Sequence, residues 1–174
     1  SGANVSLLGR IKTLETVTQH GLTLTDLHQR KHVIRPEAVR ISIDPQILQL
    51  ADFVLVTVKS RDTDAVAELI KTHAKPHATV ISFQNGVGNA DRLSQQLPHL
   101  TVVAGMVPFN VVTLPHGHLH CGTEGNLSVQ RHVAIAPLLP LFNNAGLPIE
   151  QYDNFTEVQW GKLILNLNNA VNAL

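Results

Sequence analysis

Residues 155–174, FTEVQWGKLILNLNNAVNAL, carry one lysine and four asparagines in a stretch that otherwise reads as an apolar helix. At about 100° per residue, Lys162, Asn166 and Asn169 fall on one side of that helix. Trp160, Leu163, Ile164, Leu167, Ala170, Val171 and Leu174 fall on another. Asparagine is a poor helix former, so the cluster at 166, 168, 169 and 172 weakens the helix and must be there for another reason. A lysine ammonium beside amide hydrogen-bonders can grip a small carbonyl compound and protonate it. The plain alternative, a solvated lysine on an amphipathic helix, leaves the asparagines unexplained.

Other candidates stand at the ends of apolar runs. Lys59 closes FVLVTVKS, a β-branched run of the kind found in buried parallel strands, and ligands bind at the carboxyl edge of open α/β sheets. Asn85 lies in SFQNG just past the next such run, where Asn-Gly also suits a tight turn with positive φ. Gly86-Val-Gly88 followed by Asp91 imitates part of a GxGxxG loop but lacks its third glycine, a weak signal. Arg10 follows the short apolar run NVSLL, where a basic residue can hold a ribose 2′-phosphate or simply be solvated. His116, His118, His120 and Cys121 alternate as metal ligands on one strand face could. No carboxylate or second cysteine completes such a site, so they are expected to be a half-exposed strand with no metal.

The elements that must place these residues alternate. Strands are expected at 4–8, 23–27, 31–34, 39–43, 53–58, 79–83 and 100–104, with a helical turn at 45–50 and helices at 62–73 and 89–97. Strands alternating with helices are the mark of a parallel α/β sheet. After Met106 the texture changes to strands at 110–113, 117–120 and 126–130 with Gly, Pro and His turns. A helix at 132–144, a strand at 147–151 and the terminal helix complete the chain. The expected division is 1–152 as a nucleotide-binding part and 153–174 as the start of a helical part.

Composition narrows the classes. The chain has 174 residues, 44% of them hydrophobic, with Lys+Arg and Asp+Glu both at 13. A balanced charge gives no electrostatic footprint for nucleic acid or a membrane surface. The single cysteine, Cys121, excludes an intramolecular disulfide and fits a reducing, cytoplasmic compartment. No run is long and apolar enough for a transmembrane helix. The chain opens on Ser1 and closes within a helix at Leu174, and is expected to be a fragment.

Taken in order, LLGR at 7–10, VTVKS at 56–60, SFQNGVGN at 82–89, PHGHLHCGTEG at 115–125 and WGKLILNLNNAVNAL at 160–174 resemble the ketopantoate reductase (2-dehydropantoate 2-reductase) family along essentially the whole chain. The resemblance implies an α/β fold: an incomplete Rossmann-type, mostly parallel sheet, then the first helix of an all-helical C-terminal domain. It implies NADPH-dependent reduction of ketopantoate to pantoate, on the route to pantothenate and coenzyme A, with NADP as cofactor and a small keto acid as substrate. By position, Lys162 is the implied catalytic lysine and Asn166 the substrate-binding asparagine one turn on. Asn85 is implied near nicotinamide and substrate, Lys59 at the cofactor, and Arg10 at the 2′-phosphate. The family's second helix asparagine falls at Ala170, with Asn169 beside it as the candidate substitute. The family's glycine loop is expected ahead of Ser1, and most of its helical domain beyond Leu174. An open sheet edge and apolar helix faces leave room for a homodimer. The rival readings are a related reductase of another 2-keto or 3-hydroxy acid, a non-catalytic nucleotide-binding module, and, more weakly, a histidine-rich metal protein.

Overall fold

A computed structural model describes residues 2–171 and, in the last helix, side chains as far as residue 167. In chain order the elements are β1 (Leu7–Leu8), α1 (Ile11–His20), β2 (Leu22–Asp26), β3 (Lys31–Ile34), β4 (Ile41–Ser42), β5 (Phe53–Val56), α2 (Thr63–His73), β6 (Thr79–Ser82) and α3 (Asn89–Gln96). They continue with β7 (Thr101–Met106), β8 (Val111–Leu114), β9 (His118–Cys121), β10 (Leu127–Gln130), α4 (Leu138–Asn144), β11 (Ile149–Tyr152) and α5 (Phe155–Val171). Two compact units result among the described residues: 48–108 with 126–171, and 2–47 with 109–125.

The first unit is a five-stranded sheet in the order β11-β10-β7-β6-β5. β5, β6 and β7 run parallel, and their register aligns Val56, Ser82 and Ala104 in one row. The segments leaving these three strands therefore emerge along a single carboxyl edge. β7 pairs antiparallel with β10, and β10 parallel with β11. β6 is buried along its whole length, as a central strand with both faces covered must be. α2 buries Thr63, Ala67 and Ile70, the i, i+4, i+7 stripe of an amphipathic helix, and α3 buries Asn89 and Leu93. The side chains of Ile70, Ile81 and Leu93 are wholly buried. Each contributes about 1.5–3 kcal/mol relative to exposure. Arg92 and Gln96 of α3 both bond the Asp64 carboxylate of α2, Gln96 at 2.7 Å, and fasten the two helices side by side.

The second unit holds the pair β1-β4, parallel, and a four-stranded sheet in the order β3-β2-β9-β8. Only β2 and β9 are parallel there. The β8–β9 hairpin turns through His116 and Gly117, both at positive φ (60° and 70°), the geometry of a type I′ turn.

Sequence and structure part at several elements: the strand expected at 4–8 contracts to Leu7–Leu8 and the one at 53–58 to Phe53–Val56. Residues 11–20 form α1, between the strands expected at 4–8 and 23–27, where the sequence reading places no helix. Its threonines and valine have low helix propensity, and only Val17 is buried, so the periodic signal is faint. The strand expected at 39–43 contracts to Ile41–Ser42. The helix expected at 132–144 breaks into a 3₁₀ turn at Val133–Ile135 and α4, because Pro137 and Pro140 are acceptable only in a first turn. On the terminal helix, Leu163 is half-buried, while Trp160, Ile164, Leu165 and Leu167 are all more than half exposed. Among the described residues, no helix is long and apolar enough to cross a membrane.

Candidate active site

The site is built at the carboxyl edge of the first unit's parallel strands, where α5 passes over the ends of β6 and β7. α5 is started by local chemistry. Asn154 Nδ2 donates to Glu157 Oε1 across the first turn, and Phe155 is buried as its anchor. Arg131, just past β10, donates from Nε to Asp153 Oδ1 (2.7 Å), which ties down the connection from β11 into the helix.

Two turns further on, Lys162 is half-buried and its Nζ donates to the backbone oxygen of Pro108 at 3.0 Å. An ammonium has three donors, so this bond fixes the head group and leaves two hydrogens for a ligand. Lys162, Leu163 and Asn166 line one cleft together with Gln84, Asn85, Gly86 and Gly105. The i, i+4 spacing of Lys162 and Asn166 thus does put both on the cleft side of the helix.

The chain bends sharply at Asn85 and Gly86, with the positive φ taken by Gly86 at 94°. The Asn85 carbonyl accepts from Ser60 Oγ (3.1 Å) and Asn89 Nδ2 (2.9 Å), while the residue itself is exposed. Its carbonyl is held by both side chains, and the residue lines the cleft. A second cleft is lined by Thr57, Val58, Lys59, Ser60, Phe83, Gln84 and Asn85. The two clefts share Gln84 and Asn85 and so adjoin each other.

Of the sequence candidates, the structure brings Lys162, Asn166 and Asn85 into one cleft, and Lys59 into the adjoining one with Asn85. Arg10 belongs to the other unit, at the boundary between β1 and α1, where its carbonyl accepts from Thr13 and Leu14 N–H at 2.9 and 3.0 Å. The side chain of Asn169 lies outside the described residues.

The histidines make local bonds in the second unit. Thr25 Oγ1 bridges His118 Nε2 (2.8 Å) and His120 Nδ1 (2.9 Å), and the rings of His116 and His20 meet edge to face at 4.6 Å. Cys121 Sγ donates to Thr123 O at 3.2 Å. Among the described residues, no three His, Cys, Asp or Glu side chains gather as metal ligands would.

Two lining residues carry no signal that would single them out in the sequence. Gly105 is needed for close approach: a Cβ there would lie 2.7 Å from Cδ1 and Cε1 of Phe83. Gln84 is buried between the two clefts, which only the folded chain reveals.

The family match spans most of the site. Residues 1–133 match the family model described as ketopantoate reductase PanE/ApbA. The chain belongs to the ketopantoate reductase family. Arg10, Lys59 and Asn85 lie inside that match, and α5 lies beyond it. Longer alignments with individual family members include α5. A 2-dehydropantoate 2-reductase of Halobacterium salinarum is 28% identical over 98% of this chain and 57% of its own length. One of Caulobacter vibrioides is 27% identical over 78% of this chain and 47% of its own. A solved PanE/ApbA family ketopantoate reductase of Ralstonia eutropha superposes with a TM-score of 0.85 at 34% identity, covering 95% of this chain and 54% of that one. The chain spans about half the length of the curated relatives it matches. The fold class is that of the family: mixed α/β with mostly parallel pairing around the site.

Proposed function

We propose that the protein reduces 2-dehydropantoate (ketopantoate) to pantoate with NADPH, the reductive step on the route to pantothenate and coenzyme A. The observation that carries this reading is the single cleft in which Lys162, held through Pro108 O, stands beside Asn166 and Asn85. Family membership and the reductase names of the relatives support it. The proposal includes the division into a nucleotide-binding part, 1–152, and a substrate part that begins with 153–174.

The residues present fit a phosphorylated dinucleotide. Lys59 is an exposed cation in the cleft at the carboxyl ends of β5 and β6, the position at which open parallel sheets bind nucleotides. Lys59 is assigned to contact the cofactor, and Arg10, by the family resemblance, to select its 2′-phosphate. When bound, the dinucleotide supplies the hydride. The chain's own residues do the rest. Asn85 and Asn166 hold the keto acid by their amides and reduce the orientational cost of reaction. Lys162 Nζ faces the ketone oxygen, stabilises the negative charge that grows there and delivers a proton to it.

The test is oxidation of NADPH by the full-length protein with and without 2-dehydropantoate, followed by a panel of other 2-keto acids. Turnover that depends on 2-dehydropantoate supports the reading; turnover only with another keto acid transfers it to that substrate. Lys162→Ala is expected to lower kcat by roughly 10²–10⁴-fold with NADPH affinity little changed. Near-normal kcat in that variant removes Lys162 from the chemistry.

A further inference from the structure

Lys59 and Asn85 leave two different strands, and between their loops lies a buried polar cluster that the proposed chemistry does not use. Thr63 is 0% exposed, Ser82 3%, Gln84 4% and Asn89 7%. Burying amides and hydroxyls is costly unless each is bonded, so such a cluster has a narrowly defined geometry. Here it is fully satisfied: every described buried side-chain nitrogen and oxygen has a partner.

Gln84 is its hub. Its Nε2 donates to Val58 O (3.1 Å) and Thr63 Oγ1 (2.9 Å), and its Oε1 accepts from Ser82 Oγ (3.1 Å). Thr63 Oγ1 in turn donates to Ser60 O (2.8 Å), and Asn89 Nδ2 donates to both Ser60 Oγ (3.0 Å) and Asn85 O (2.9 Å). Both amide hydrogens of Gln84 are therefore committed to the segment that follows β5, and its oxygen to its own strand. Neither hydrogen is left for a ligand. Val58 immediately precedes Lys59, and Gln84 immediately precedes Asn85. One amide thus links the two segments that carry a cofactor-side lysine and a substrate-side asparagine.

We propose that Gln84 is a positioning residue of this site: its side-chain amide sets the spacing between Lys59 and Asn85. The inference rests on the proposed roles of those two residues. Gln84→Met keeps the length and removes the bonds. Gln84→Glu keeps the shape but turns both donor positions into an acceptor facing Val58 O.

The experiment measures kcat, KM for the keto acid, NADPH Kd and melting temperature for full-length wild type, Gln84→Met, Gln84→Glu, Asn85→Ala and the double variant Gln84→Met/Asn85→Ala. Displacing reacting groups by even ~1 Å costs on the order of 10²-fold in rate, so Gln84→Met is expected to lower kcat/KM by roughly 10–100-fold, and Gln84→Glu by at least as much. In the Asn85→Ala background, the same Gln84→Met change is expected to cost less than about twofold, because a residue acting through Asn85 is non-additive with it. A purely structural role would lower the melting temperature and multiply through in the double variant, and that result overturns the proposal. So does a Gln84→Met kcat/KM within about twofold of wild type. If Gln84→Met does not fold, Ser82→Ala, which frees only the Gln84 oxygen, takes its place in the same cycle: non-additivity with Asn85→Ala supports the proposal, and additivity or a near-normal kcat/KM overturns it. Absence of keto-acid turnover in wild type itself would sink the proposed function instead. Gln84 would then be judged on NADPH Kd alone: weakening by about tenfold supports it, no change refutes it.

Discussion

Gly105→Ala should disturb the site from behind, through a residue with no functional group. The added Cβ would sit 2.7 Å from two ring carbons of Phe83 and 3.2 Å from Ser82 O. Carbon atoms rest at about 3.5–4.0 Å, so the ring has to retreat by roughly 1 Å. Phe83 is buried and cannot swing into solvent. Overpacking of this kind costs about 1–3 kcal/mol, a fall of roughly 2–12 °C in melting temperature for a chain of this size. The displacement does not stop at the ring, because Gln84 and Asn85 follow Phe83 directly in the chain. A shift of ~1 Å in a ligand-holding residue costs on the order of 10²-fold in kcat/KM. Gly161→Ala is the matched control. It is the same chemical change in the exposed part of α5, where a Cβ meets nothing within 4 Å. Removing a helical glycine there should stabilise by about 0.5–1 kcal/mol. Thermal melts and keto-acid-dependent NADPH oxidation on both variants decide the matter. Gly105→Ala with wild-type stability and kcat/KM would refute the packing argument.

Two further perturbations probe the scaffold. Hydrogen bonds from Gln96 and Arg92 hold the Asp64 carboxyl below the usual carboxylate range. A depressed folded pKa means that its contribution is present above the unfolded value, about 3.9, and is lost as pH falls through the folded one. Asp64→Asn should therefore lower the urea midpoint at neutral pH, with the gap closing as pH falls below the usual carboxylate range; a gap independent of pH would contradict this. Gly117→Ala places a Cβ 2.3 Å from Gly21 O at φ +70°. The cost should exceed the roughly 1–2 kcal/mol of the left-handed conformation alone. It should be seen first as faster hydrogen exchange in residues 2–47 and 109–125, and unchanged exchange there would show that the turn yields freely.

Much of the framework was legible because local physics governs it. The β-branched runs ending near Lys59 and Asn85 became parallel neighbours β5 and β6. β6 is buried along its length as such a run suggests, whereas β5 is the edge strand and exposes Leu55, because the strand order that sets its neighbours is not written in the run itself. Asn85-Gly86 became a bend with the positive φ at its glycine. α1 was not legible because its burial amounts to one valine, too little to imprint a period. The exposed apolar side of α5 was legible as apolar, but its surroundings are a property of the fold and not of the 3.6-residue repeat.

By itself, the sequence determined the alternation of strands and helices, the residue types at their ends and the helical spacing of Lys162 and Asn166. Each depends on contacts no more than a few residues apart. Tertiary structure alone decided that Lys162 is held by a carbonyl 54 positions away, that Gly105 makes room for Phe83, and that Gln84 turns inward to Val58 and Thr63. Those pairings depend on which strands lie side by side and where their ends align, and no local preference encodes that register.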